Sequence, residues 1–238
     1  MTRRRWIADE ISGNHAALTG RHADHPATVL RARLGQEFDI ATPDGIRRGR
    51  ITRLDPERVE FELGEQVPAV AIANLTLALS IFKFDRMEWA IEKCTELGVG
   101  RMVPVIARRT EARLAAAAAT RVERWQRIAR QASEQSRRPR PPEISLPVHL
   151  KEAVALPGRP RVVLAESQAD ARLADVLDGE RSGEVVLAIG PEGGWTDSEL
   201  AAFRAAGWTL ASLGATILRA ETAAIAATAV SLAKWGGG

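Results

Sequence analysis

The chain has 238 residues, 45% of them hydrophobic and 26% charged, with 33 Lys and Arg against 30 Asp and Glu for a net charge of +3. A globular chain of this size hides about 70% of the surface its unfolded form exposes, so a core forms without staples, and 19 glycines and 12 prolines exclude collagenous and disordered classes. The single cysteine, Cys94, excludes a disulfide-stapled secreted scaffold, no window offers the roughly 20 apolar residues of a membrane span, and acids reach the N-terminus (Asp9, Glu10) before any signal-peptide core; the expectation is a cytoplasmic protein.

In chain order, residues 1–70 read as short extended pieces at 5–7, 29–30, 36–41, 49–55 and 58–63, with turn signals at Thr42-Pro43-Asp44-Gly45 and Asp55-Pro56. The spacings are too short for crossover helices. They predict a small β module, most economically a barrel, because closure removes exposed edges. An apolar strand over 71–79 then opens an alternation of strands and helices. Helix 85–97 places Met87, Ala90, Ile91, Cys94 and Leu97 on one stripe and stops at Gly98, with the Cys94 thiol inert in the stripe. An apolar run at 102–106 follows. Helix 120–134 turns Val122, Trp125, Ile128, Ala129 and Ala132 inward and its arginines outward. Residues 135–147 hold four prolines and form a stiff connector, read either as an exposed turn or as a phosphate contact through its arginines. Strands at 161–165, 184–189 and 209–212, and a last helix over 221–234, complete the pattern. The fold class is α/β: a small N-terminal β domain over 1–70 and a mostly parallel α/β domain over 71–238.

Charge is uneven. Residues 101–140 carry eleven basic and three acidic residues, whereas 141–238 carry eight and twelve. All eleven are arginine, which forks onto phosphate and stacks on bases, although a solvated arginine-rich face fits the same count.

Two segments carry chemistry. Gly190-Pro191-Glu192-Gly193-Gly194-Trp195-Thr196 follows a strand and precedes a helix, its glycines allow close backbone approach, and Thr196 with Glu199 has capping-box spacing. It matches neither GxGxxG nor GxxxxGK[ST], so NAD and ATP are not supported. The second, Leu213-Gly214 through Ile217-Leu218-Arg219-Ala220-Glu221, crosses from a strand end to a helix start; Arg219 and Glu221 read as a surface pair or as groups projecting into a crevice. No metal site is expected: His22 and His25 have ligand-like spacing but no third partner, and read as a surface turn. No GxSxG elbow is present.

Together with Lys83-Phe84-Asp85-Arg86-Met87-Glu88-Trp89 through Thr95-Glu96-Leu97-Gly98, Glu123-Arg124-Trp125 and Ala132-Ser133-Glu134-Gln135-Ser136, these segments make the chain resemble the bacterial 16S ribosomal RNA uridine-N3 methyltransferases, knotted SPOUT enzymes, over nearly its whole length. The resemblance implies a PUA-like RNA-binding barrel, a trefoil-knotted α/β domain, a homodimer, and S-adenosyl-L-methionine held by Ile189, Gly190, Gly193, Gly194, Leu213, Gly214 and Leu218. The family usually carries proline and a basic residue after the second Leu-Gly, where this chain has Ala215 and Thr216. The substrate implied is 16S rRNA in an assembled or nearly assembled small subunit. The expected RNA contacts are Arg124, Arg127, Arg137, Arg138 and Arg31. Arg219 is expected to stabilise charge on the uracil ring, and Glu221 to orient Arg219 or relay the N3 proton. A methyltransferase acting on another base or a 2′-hydroxyl, and a non-catalytic rRNA-binding assembly protein, are the competing readings.

Overall fold

The computed structural model describes residues 5–29, 31–68, 72–166, 169–178 and 183–235. The chain is mixed α/β and divides into two compact units, Met1–Ala71 with Ser133–Arg140, and Ile72–Ala132 with Pro141–Gly238.

In the first unit, strands β1 (Arg5–Ile7), β2 (Glu10–Ser12) and β3 (His15–Thr19) lead to a short helix α1 (Arg21–Asp24) that widens through His25–Val29, then to β4 (Glu37–Thr42), β5 (Gly45–Leu54) and β6 (Arg58–Val67). Their order across the sheet is β1-β4-β5-β6-β3-β2, parallel between β1 and β4 and antiparallel elsewhere. The sheet curls. Its end strands β1 and β2 are separated in the chain by Ala8 and Asp9 alone, and Ala8 N–H donates to Ala41 on β4 while Asp9 N–H donates to Ala17 on β3. Trp6, Leu18, Ile40 and Phe61 fill the interior. The turn signals act as expected: Thr42 pairs with Gly45, and Asp55 Oδ1 accepts from Arg58 N–H at 2.8 Å. Of the strand expected at 29–30, Val29 is helical and Leu30 lies outside the described residues.

Ser133–Arg140 completes this unit. Ile7 N–H donates to Glu134 Oε1 at 3.1 Å, His22 Nε2 lies 2.7 Å from the same oxygen and His22 Nδ1 2.9 Å from Asp9 Oδ2, and the Arg5 guanidinium donates to the Arg137 carbonyl. His22 is therefore held between two carboxylates, not in the free surface turn that its sequence suggests, because Asp9 and Glu134 converge on it from segments far apart in the chain. The proline-rich connector accordingly starts as a docked segment.

The second unit contains β7 (Leu75–Ser80), α2 (Phe84–Leu97), β8 (Arg101–Ile106), α3 (Ala112–Gln135, its last turn belonging to the first unit), β9 (Glu143–Ile144), β10 (Val148–His149), α4 (Leu150–Val154), β11 (Arg161–Leu164), β12 (Ala171–Arg172), α5 (Leu173–Val176), β13 (Val185–Ile189), α6 (Asp197–Ala205), β14 (Thr209–Ser212) and α7 (Ala220–Trp235). The sheet runs β10-β8-β7-β13-β11-β14-β12, with β9 also on β8, and its pairings are parallel. Helices cover both faces, as a parallel sheet requires. Leu77, Leu79, Leu187 and Ile189 pack toward Met87 and Ile91 of α2, Trp125 of α3 and Ala224 of α7. Ala78, Val163, Val186 and Ala188 pack toward Ala153 of α4 and Leu200 and Phe203 of α6. The strand expected at 71–79 is ordered from Leu75, and Ala71 lies outside the described residues.

Two sequence expectations shift. Leu97 is 41% exposed and Thr95 is buried in its place, because the last turn of α2 meets α7 through Cys94, which Thr228 contacts, before the chain leaves at Gly98. Helix α3 begins at Ala112, two turns before the expected start, since its alanine run has high helix propensity but no polar face to mark it.

Burial pushes the Cys94 thiol up to about 12, and Thr228 Oγ1 donates to the sulfur at 3.4 Å. Only the thiolate alkylates. Cys94 will therefore stay unmodified by iodoacetamide in the folded protein at mildly alkaline pH and react once denatured. Labelling of the native protein at the rate of a free thiol would contradict this packing.

Candidate functional site

The C-terminal ends of β11, β13 and β14 lie side by side, the position at which open parallel sheets bind ligands. Around them is a cavity of about 490 Å³. Its floor is the end of β11, Leu164, Ala165 and Glu166; one wall is the glycine loop after β13, and the opposite wall is the loop from β14 to α7.

The glycine loop is set by what surrounds it. Gly194, at φ +68°, turns the chain back so that its N–H donates to the Pro191 carbonyl at 2.8 Å, a conformation that favours glycine. From outside, Arg109 Nη1 donates to the carbonyls of Gly193 at 2.7 Å and Trp195 at 3.2 Å. Beneath it, the Trp195 ring stands edge-on to Phe203 at 5.0 Å, and Phe203 to Trp208 at 4.9 Å. The capping box is formed: Thr196 Oγ1 accepts from Glu199 N–H, and Glu199 Oε2 accepts from Thr196 N–H at 2.8 Å. Glu199 Oε1 also accepts from Arg108 N–H at 2.7 Å, so this buried carboxylate in the first turn of α6 has both oxygens occupied.

In the opposite loop Gly214 has φ +146°, and Ala215, Thr216 and Ile217 stand out from the protein, Ile217 at 81% exposure. Arg219 precedes α7, lines the cavity and is exposed; among the described residues its guanidinium has no hydrogen-bonded or ionic partner. Glu221, in the first turn of α7, has a side chain only 7% exposed. Its carboxylate faces Arg86 Nε at 3.8 Å and makes no pair with Arg219.

All seven residues expected to hold the cofactor, Ile189, Gly190, Gly193, Gly194, Leu213, Gly214 and Leu218, line this one cavity, and Arg219 lines it with them. Glu221 lies behind the wall. Sequence reasoning missed the floor and both arginines that brace the loop, Arg86 and Arg109. Arg86 stands in the segment 83–89 that carries the resemblance, which gives it no role, and no motif marks Arg109; each comes from a preceding strand–helix unit and meets the site only through the sheet order.

The expected RNA contacts are scattered. Arg127 and Arg31 are exposed, and Arg137 is half-buried with its carbonyl bonded to Arg5. Arg124 is exposed but held by Glu88 through two hydrogen bonds, at 2.5 and 2.7 Å. Arg138 corrects the sequence reading: it is buried at 7% exposure, and burial, with repulsion from Arg140, pushes it down to about 10, so its guanidinium is not on a face that phosphates reach. Among the described residues no group of His, Cys, Asp and Glu could hold a metal ion, and no helix is long and apolar enough to cross a membrane.

Similarity to known proteins converges on the same region. Residues 70–232 match the RNA methyltransferase domain family. Ribosomal RNA small subunit methyltransferase E of Synechocystis sp. is 36% identical over 93% of this chain and 74% of its own length, and that of Mycobacterium bovis is 33% identical over 94% and 89%. Among solved structures, ribosomal RNA small subunit methyltransferase E from Neisseria gonorrhoeae bound to S-adenosyl methionine superposes with a TM-score of 0.86 at 31% identity, covering 98% of both chains. A putative methyltransferase from Legionella pneumophila, in complex with the same cofactor, gives 0.85 at 28% identity and 98% of both chains. With its family match over most of the chain and relatives above 30% identity along nearly all of it, this chain belongs to the RNA methyltransferase domain family that includes the ribosomal RNA small subunit methyltransferases E.

Proposed function

We propose that this chain transfers a methyl group from S-adenosyl-L-methionine to N3 of a uridine in 16S ribosomal RNA. The observation that carries the reading is the single cavity lined by both glycine-bearing loops and Arg219, in a chain whose relatives are named for ribosomal RNA methylation. The residues fit the cofactor. A volume of about 490 Å³ lies in the range of small-molecule sites, side-chain-free glycines leave backbone groups open to a ligand, Leu213, Leu218 and Ala223 suit a flat apolar base, and Glu166 suits hydroxyl or ammonium groups. When bound, the cofactor supplies an activated methyl group.

The protein's own residues then align the acceptor and manage one proton. Uracil N3 becomes nucleophilic as its proton leaves, and the unpaired guanidinium of Arg219 is placed to stabilise the negative charge that spreads over the ring. Glu221, close behind it, is the group assigned to the proton or to holding the site's arginines. N3 lies on the pairing edge, so the uridine enters unpaired or flipped. Exposed Arg127 and Arg31, with the half-buried Arg137, are assigned to phosphates of the RNA.

The wider architecture belongs to the same reading. The N-terminal unit is taken as a PUA-like RNA-binding barrel, supported by the bonds of Ala8 to β4 and Asp9 to β3, the strands next to the two ends of its sheet. Residues 71–238 are taken as a SPOUT domain with a trefoil knot; in support, β14 lies beyond β11, yet α7 returns to pack on α2, β7 and β13. Exposed Trp89 and Leu97 on α2 support a homodimer. The substrate is taken as 16S rRNA in an assembled or nearly assembled small subunit, in the cytoplasm.

Arg219→Ala is expected to lower turnover by about 10²- to 10³-fold with little change in cofactor affinity measured by calorimetry. Equal losses of both would make Arg219 a cofactor or folding residue. Arg127→Glu should weaken rRNA binding and reduce its salt dependence by about one ion, whereas Arg138→Ala should lower the melting temperature first. An unchanged affinity for the Arg127 variant would take that residue off the RNA surface. Mass analysis of 16S rRNA from a deletion strain tests the base and atom together: a persisting N3-methyluridine would end the assignment.

A further inference from the structure

The two walls of the cavity are bridged by a residue that methyl transfer, as described, leaves without a task. Arg86, in the first turn of α2, lines the cavity. Its Nη1 donates to Glu192 Oε1 of the glycine loop at 2.7 Å, and its Nε lies 3.8 Å from Glu221 Oε1 at the head of α7. Among the described residues no other side-chain hydrogen bond or ion pair joins anything in the glycine loop to the loop and helix start opposite. Glu221 also needs this cation: its other oxygen, Oε2, is buried with no hydrogen-bond partner, and a buried carboxylate without a neighbouring positive charge is strongly disfavoured.

We propose that Arg86 is a positioning residue, the tie that holds the two cavity walls at a fixed separation and keeps Glu221, and through it the adjacent Arg219, in register with the bound cofactor. Its effect on turnover rests on the methyltransferase reading; the tie itself does not. A guanidinium suits the role because its planar fork holds several donors in one fixed geometry, so that Nη1 and Nε reach carboxylates from two different segments.

The test compares Arg86→Met, Arg86→Lys, Glu192→Gln and the double variant Arg86→Met with Glu192→Gln. Amide hydrogen exchange is followed at residues 190–194 and 213–219 without ligand, together with S-adenosylmethionine affinity and single-turnover methylation of 16S rRNA. Arg86→Met should speed exchange in both loops by about tenfold, weaken cofactor binding and reduce the single-turnover rate further, and Arg86→Lys should recover part of each. The double variant should be no worse than Arg86→Met, since both substitutions cut one tie. Unchanged exchange in the two loops, or effects of Arg86→Met and Glu192→Gln that multiply, would overturn the proposal. If Arg86→Met fails to fold, the Lys and Gln variants carry the same comparison. A wild-type protein that binds no S-adenosylmethionine would remove the functional reading, while the exchange data would still decide the tie.

Discussion

Burial of β13 on both faces is the constraint from which the site follows. Val185–Ile189 has no polar side chain and no exposed residue, so the strand is stable only between two helical layers, with its backbone groups paired to β7 and β11. That fixes the point at which the chain emerges at Gly190. Beyond it the loop is anchored at its far end by the buried Trp195 ring, and the stretch between is kept in shape by polar tethers: Arg109 on two carbonyls, Glu199 beneath the helix start, Arg86 on Glu192. A rigid apolar strand thus delivers a loop held by one aromatic anchor and several polar tethers.

The buried acids of the site show how differently a similar position can be satisfied. Glu199 and Glu221 both stand in the first turn of a helix, where the dipole favours a carboxylate. Glu199 has donors for both oxygens and serves as a fastener. Glu221 has a guanidinium at longer range and an unmet oxygen, the kind of local deficit that recurs where chemistry is done. The arginine-rich run divides in the same way. Arg109 supports a loop, Arg124 is neutralised by Glu88 and Arg138 is buried, so the local excess of positive charge overstates the cations open to a polyanion.

Elements with strong periodicity or explicit punctuation were legible in the sequence. The buried stripe of α2 from Met87 to Cys94, the inward Trp125 and Ala129 of α3, the capping box at Thr196 and Glu199, and strand β14 all follow from residue spacing. Short or wholly exposed pieces were not: β2 has no buried residue to produce alternation, and β9, β10 and β12 are two-residue pairings made by neighbours distant in the chain. The glycine-rich walls of the cavity could be read because their composition is unusual. Arg86, Arg109 and the floor at Leu164–Glu166 could not, since their relation to the loops exists only after β13 inserts between β7 and β11.

The docking of Ser133–Arg140 on the N-terminal unit has a bearing on how the chain is made. The backbone crosses from one unit to the other three times, near residues 71, 132 and 140. During synthesis the first unit therefore stays incomplete until about twice its own length has left the ribosome, with Ile7, His22 and Arg5 waiting for partners in Glu134 and Arg137. Maturation of the small β unit and of its larger neighbour is thereby obliged to overlap in time, and after a single proteolytic nick at the first crossing residues 1–71 are retained only by non-covalent docking on Ser133–Arg140, a segment that the two later crossings keep covalently attached to the larger unit.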